Sequence, residues 1–177
     1  GKDVRVTAIT TDTFGGTTAF ESTGQTVANV EDEATGTLAI SGTAQEGATI
    51  SADTSDITDP DGGIASVAYQ WQINSGSGWG DIFGATGVDL AVPGDQSYVG
   101  KDVRVTAITT DTFGGTTNFT SAAQTVANVE DEATGTLAIS GTVQEGNTIS
   151  ADTIGLNDVD GGIASVAYQW QINSGSG

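Results

Sequence analysis

Carboxylates are the chemistry-bearing side chains this sequence holds in number: 23 Asp and Glu stand against 4 Lys and Arg, with no His or Cys, for a formal charge of -19 over 177 residues. Without imidazole the chain lacks the commonest general base and transition-metal ligand, and without thiols it can build neither disulfides nor thiolate metal sites. What remains is the chemistry of hard cations. Calcium accepts carboxylates, backbone carbonyls and water in a flexible shell of about six to eight oxygens. The negative field repels nucleic acid and anionic membrane surfaces, so neither is expected as a partner. The chain has no Gly-x-Ser-x-Gly elbow and no Gly-x-x-x-x-Gly-Lys phosphate loop. Carboxylates repeated once per unit in linkers do not make the cleft that glycoside hydrolysis needs. An enzyme is not expected.

An internal repeat selects which carboxylates matter. Gly1–Thr10 recurs as Gly100–Thr109, an offset of about 99 residues, and the same offset carries Tyr69-Gln70-Trp71 onto Tyr168-Gln169-Trp170. It carries Glu31, Asp32 and Glu33 onto Glu130, Asp131 and Glu132. Residues 54–60 vary heavily between the copies, yet Asp53, Asp59 and Asp61 persist as Asp152, Asp158 and Asp160, while Asp56 and Glu21 become Gly155 and Thr120. The retained acids are the metal-ligand candidates. The plainer alternatives are that acidic loops solubilise the chain and that Asp59-Pro60-Asp61-Gly62-Gly63 is a turn. No complete EF-hand loop is present.

The elements that must position these residues are strands. Gly, Thr and Ser punctuate short alternating segments, and no apolar spacing of three and four persists long enough for a helix. In Ser66–Asn74, Val67, Tyr69, Trp71 and Ile73 share an apolar face, with Ser66, Ala68, Gln70, Gln72 and Asn74 toward water. In Lys101–Thr110, Val103, Val105 and Ala107 point inward against Arg104 and Thr106, and Asp111-Thr112-Phe113-Gly114-Gly115 supplies a hairpin turn. Thr37–Ser41 and Thr49–Asp53 read as the first two strands, Trp79–Val92 holds one or two short edge strands, and Gln124–Ala127 closes the unit. About seven strands fit an all-β sandwich.

The expected division is residues 1–30 as the last two strands of one repeat, 31–129 as a complete repeat, and 130–177 as the first three strands of the next. Neither flank can bury a core alone. Antiparallel order places the linker before the first strand, the loop around Asp59 and the turn at Asp111 at one pole. Glu31, Asp32, Glu33, Asp53, Asp59, Asp61 and Asp111 are therefore expected to crowd one end, with Glu46- or Asp95-like acids of a preceding unit facing them. Like charges so close favour a bound cation.

Ile40-Ser41-Gly42-Thr43-Ala44-Gln45-Glu46-Gly47-Ala48-Thr49-Ile50, Asp59-Pro60-Asp61-Gly62-Gly63, Tyr69-Gln70-Trp71-Gln72 and Val99-Gly100-Lys101-Asp102-Val103-Arg104-Val105 together span most of the repeat. This set resembles the tandem immunoglobulin-like or cadherin-like repeats of giant bacterial surface proteins, including RTX-type and biofilm adhesins. The resemblance implies tandem immunoglobulin-like (cadherin-like) β-sandwich domains, secretion to the cell surface, calcium and adhesion. The cysteine pair of antibody domains and the Gly- and Asp-rich nonapeptide array of RTX proteins are absent.

Trp71 and Trp170 lie on the apolar face of their strand and read as core. Trp79, beyond the Ser75-Gly76-Ser77-Gly78 turn, is the candidate for a glycan or protein contact, against local packing. Lys101 and Arg104, like Lys2 and Arg5, are expected to pair with nearby acids, and the sequon Asn118-Phe119-Thr120 is given no role. No apolar run spans a bilayer, and no signal peptide is visible. The expectation is a calcium-rigidified extracellular stalk whose partners are neighbouring repeats. The alternatives are a module binding biofilm or host glycans or proteins, and homo-assembly into a fibre or sheath.

Overall fold

The computed structural model describes residues 1–175, and they contain strands but no helix. Four short strands open the chain: β1 (Asp3–Val4), β2 (Thr7–Thr11), β3 (Thr17–Glu21) and β4 (Gln25–Thr26). The middle holds β5 (Ala39–Ser41), β6 (Thr49–Asp53), β7 (Ile64–Asn74), β8 (Trp79–Asp81), β9 (Asp89–Ala91), β10 (Asp102–Asp111), β11 (Thr116–Thr120) and β12 (Gln124–Thr125). Then come β13 (Thr134–Gly135), β14 (Ala138–Ser140), β15 (Ser150–Asp152) and β16 (Leu156–Asn157).

The middle strands make two antiparallel sheets. One is three-stranded, in the order β5-β6-β9; the other runs β11-β10-β7-β8, with β12 also pairing β10. β11 and β12 are one expected strand split at Ser121–Ala123, so β10 pairs first with Gln124–Thr125 and then with Thr116–Thr120. At the split, the Ser121 hydroxyl accepts the Val105 amide at 3.0 Å and the Ser121 amide donates to the Val105 carbonyl at 2.9 Å.

Alternation along the strands makes the core. In β10, Val103, Val105 and Ala107 are buried, as the period of two requires, and Val105 lies opposite the fully buried Trp71 in β7. Ile50, Ala52 and Leu90 from the three-stranded sheet join the same cluster, capped by Leu38 and Val126. Two sheets sharing one apolar layer are consistent with a β-sandwich. Trp71 meets its polar requirement inside this layer, its indole N–H donating to the Gly87 carbonyl at 3.1 Å. The opposite face of β7 is less wet than expected, because β8 lies beside it: Gln72 Nε2 donates to Asp81 Oδ1 at 2.8 Å, and Gln70 Nε2 to the Ile82 carbonyl at 3.0 Å.

The flanking segments repeat the local pairings of the middle. β2 pairs β3 with Thr7 opposite Glu21, as β10 pairs β11 with Thr106 opposite Thr120, and β14 pairs β15 as β5 pairs β6. What they lack is the long β7–β10 pairing at the centre of the larger sheet. Residues 163–173 have the sequence of β7 residue for residue, yet form no strand. Trp170, expected in a core, is 50% exposed, because the β10-like partner that buries Trp71 is not beside it. Residues 1–33 are exposed throughout.

The two equivalent tryptophans should therefore behave oppositely. Trp71→Ala is expected to cost about 3–5 kcal/mol, and Trp170→Ala less than about 0.5 kcal/mol, when the full chain is unfolded by urea in dilute solution.

Candidate metal centres

Asp111 ends β10 where the chain must reverse. Its Oδ1 accepts the amides of Phe113 at 2.6 Å and Gly115 at 3.0 Å, so the carboxylate folds the turn that follows it. The price of that position is burial: Asp111 is 3% exposed and its other oxygen, Oδ2, has no partner. Asp61 reaches the same pole from the β6–β7 loop and is 6% exposed. Its amide donates to Asp59 Oδ1 at 2.8 Å, and its Oδ2 accepts the Asp32 amide at 2.6 Å, which fixes the linker to the loop. The loop is tied to the turn in its turn, since Thr112 Oγ1 donates to the Asp61 carbonyl at 3.1 Å.

Glu31 completes the group. One carboxylate oxygen from each of Glu31, Asp61 and Asp111 lies within 4.8 Å of the others. Glu31 has room only because residue 115 is glycine: a Cβ there would collide with its carboxylate. Desolvation, then the nearby Asp111 carboxylate, then the charges of Asp61 and Asp59, push the Glu31 carboxyl above its ordinary value. At Asp111 burial acts upward as well, but the amides of Phe113, Gly115 and Gly114 outweigh it and hold the carboxyl below its usual value.

A second group sits at the opposite end of the middle unit. Glu46, in the β5–β6 loop, is 6% exposed, and its carboxylate oxygen comes within 4.8 Å of those of Asp131 and Asp160. Its Oε2 accepts Gln96 Nε2 at 3.3 Å and the Val129 amide at 3.4 Å, while Oε1 is buried without a partner. Gln96 Nε2 also donates to Asn128 Oδ1 at 2.5 Å and Asp160 Oδ1 at 3.0 Å. The clasp of the first pole recurs here: the Asp131 amide donates to Asp160 Oδ2 at 2.6 Å and the Asp160 amide to Asp158 Oδ1 at 2.9 Å.

The acids predicted from sequence divide accordingly. Glu31, Asp61 and Asp111 come together, as do Asp131 and Asp160 with Glu46; Asp59 and Asp158 act one step back, by fixing the loop. Asp32 contributes its amide. Glu33, Glu130 and Glu132 belong to neither group. Asp53 and Asp152 are turn formers instead, accepting the amides of Ser55 at 2.9 Å and Ile154 at 3.0 Å. Asp95 does the same for Ser97 at 2.9 Å. Sequence reasoning missed Gln96 and Asn128, which carry no charge to draw attention, although Asn128 recurs as Asn29 one repeat earlier.

Among the described residues, Arg5 is the one base with a carboxylate partner, Glu21 at 3.2 Å. The expected pairing fails for Arg104 because the residue equivalent to Glu21 is Thr120. Arg104 Nε donates to Gln72 Oε1 at 2.8 Å instead, and its guanidinium lies 4.1 Å from the Trp79 ring centroid. A ligand stacking on that face of Trp79 must displace it. Lys101 Nζ donates to the Ser97 carbonyl at 2.6 Å.

Both groups are acidic clusters that could hold a metal ion, each with a buried carboxylate oxygen that no protein donor satisfies. No family model, curated protein or solved structure matches the chain.

The shifted carboxyls give opposite linkages in metal-free buffer. Glu31, raised in the fold, contributes stability below its ordinary value that is lost as pH rises through the raised one; Asp111, lowered, contributes above its ordinary value and loses as pH falls. Glu31→Gln should thus melt higher than the parent chain near neutral pH in chelator, with the gap narrowing as pH falls through the raised value and closed below 4.5, the ordinary glutamate value. Thermal scans from pH 3 to pH 8 check this.

Proposed function

We propose that this chain is a stretch of a secreted adhesin stalk, in which immunoglobulin-like repeats of about 99 residues are locked end to end by calcium. The observation that carries the reading is the pair of acidic groups at opposite ends of one unit, each with a buried, unpartnered carboxylate oxygen. By the repeat offset, Asp131 and Asp160 are Asp32 and Asp61 of the next unit. The second group is then the upper pole of one repeat met by Glu46 from the pole beneath, and the first is the same upper pole with Glu31 and Asp111 in place.

Superposed by that offset, the two groups define one joint. Glu46 of one repeat faces the Glu31-, Asp32-, Asp61- and Asp111-type carboxylates of the following one. Such a donor set is all oxygen, strongly negative and drawn from loops, which suits calcium over softer or smaller cations. The ion would bind both sides of the linker, so bending the joint would break its coordination. A series of such joints makes a rod, the shape a stalk needs to hold a terminal binding domain away from a cell. Arg104 lying over Trp79 weighs against a direct glycan platform at that residue.

Calcium at a hundredfold excess over its dissociation constant should stabilise the unit by about 2.7 kcal/mol per site, a rise on the order of 10 °C in melting midpoint. Asp111→Asn, which keeps the turn's acceptor oxygen, should still fold in chelator, melting somewhat lower than the parent chain, and lose most of that rise. Coincident melting curves of the parent chain with calcium and with chelator would refute the calcium reading. Gly115→Ala should leave the fold intact and weaken calcium binding by roughly tenfold, because its methyl takes the space of the Glu31 carboxylate, and a calcium titration reads this directly.

A further inference from the structure

A single hydrogen bond ties the middle unit to the segment that follows it. Among the described residues, the one bond between residues 1–129 and 130–175 runs from Gln96 Nε2 to Asp160 Oδ1, at 3.0 Å. Gln96 is half-buried in the loop between β9 and β10. The loop is fixed on either side of it, with Asp95 Oδ1 accepting the Ser97 amide at 2.9 Å and the Ser97 carbonyl accepting Lys101 Nζ at 2.6 Å. The Gln96 nitrogen also meets Asn128 Oδ1 at 2.5 Å and Glu46 Oε2 at 3.3 Å. Ionised carboxylates accept and never donate, so the nitrogen end of the amide is the end that must face them.

That nitrogen is overcommitted. An amide has two hydrogens to donate, and three oxygens from three side chains converge on it. Glu46 is 6% exposed, and its second oxygen, Oε1, is buried with no partner at all. Asp131 brings one more carboxylate oxygen within 4.8 Å of those of Glu46 and Asp160. The place calls for more positive charge than a neutral amide supplies. Asp160 is held there as its counterpart is in the complete unit: its Oδ2 accepts the Asp131 amide at 2.6 Å, just as Asp61 Oδ2 accepts the Asp32 amide at 2.6 Å. Its Oδ1 is thereby left to Gln96.

We propose that Gln96 is the latch of the metal-free joint: its amide nitrogen occupies the cation's place, ties one repeat to the next through Asp160, and is displaced when calcium binds. The displacement rests on the calcium reading of the Glu46 group; the tie to Asp160 does not. Calcium draws oxygens to about 2.3–2.6 Å. An ion held by the three oxygens that now surround Nε2 takes the position of the nitrogen itself, so ion and amide exclude each other. The joint then stays aligned before an ion arrives, and the ion must break the latch to enter. Giving up a hydrogen bond to a charged acceptor weakens binding by roughly tenfold.

The test compares Gln96 with Gln96→Ala in the full chain, with circular dichroism to check that the middle unit remains folded. Because the chain has no cysteine, spin labels can be placed at Thr120→Cys and Ser140→Cys, exposed positions on either side of the joint. In chelator, the distance distribution between the labels should be narrow with Gln96 and broad with Gln96→Ala, and saturating calcium should narrow both. Calorimetric titration is run in the Asp111→Asn chain, where the Glu46 group remains intact. There Gln96→Ala should bind calcium roughly tenfold more tightly, and Gln96→Glu more tightly still, since a carboxylate replaces the donor. Equal widths in chelator would overturn the latch, and equal or weaker calcium binding by Gln96→Ala would overturn the displacement. If neither chain bound calcium, the calcium reading and the displacement would fall together, and the widths in chelator would still decide whether Gln96 ties the repeats.

Discussion

The antiparallel pairing of β7 with β10 is the interaction on which the rest of the structure depends. It buries Trp71 against Val105, joins the two halves of the larger sheet, and sets the base on which Ile50, Ala52 and Leu90 of the smaller sheet close. An isolated strand has no use for an apolar face. The same eleven residues that form β7 at Ile64–Asn74 are unpaired at 163–173, and the same ten that form β10 lie exposed near the start of the chain. Local propensity is identical in the two settings, so the difference in structure comes from the partner alone.

That pairing also decides where the charge goes. β10 runs out at Asp111 directly opposite Ile64, the first residue after the acidic loop, so the register that assembles the core brings Asp61 and Asp111 to one place. Glu46 is sent to the other pole by the hairpin between β5 and β6 and is tied there by its amide to the Ala127 carbonyl at 3.0 Å. Burying carboxylates without cationic partners is unfavourable. Here it occurs at both ends of one unit, at Asp61 and Asp111 and at Glu46, and at both ends the amide of a linker aspartate donates to a loop aspartate. An arrangement built on repulsion holds together best around a bound cation.

Strand positions and the core face were legible in the sequence because the period of two is strict in β7 and β10, and because turn residues mark their ends. The grouping of acids at a pole was legible from antiparallel order. Which acids meet was not, since that depends on which oxygens the turns consume: Asp53 and Asp95 look equivalent to Asp61 by composition, but their carboxylates are spent on Ser55 and Ser97. Two other expectations fail for want of a neighbour: alternation marks Trp170 as core, but no β10-like strand lies beside it, and Arg104 has Thr120 where Arg5 has Glu21.

The account ties fold to function through one claim, that the carboxylates at the ends of the middle unit are ligands and not merely a solvated surface. Calcium titration of the full chain by calorimetry tests it most directly, set beside a chain carrying Asp111→Asn and Glu46→Gln together. The account predicts saturable binding to two sites in the parent chain, one for each acidic group, and loss of both in the double variant. Absence of saturable binding in the parent chain, or binding that the double substitution leaves unchanged, would contradict it.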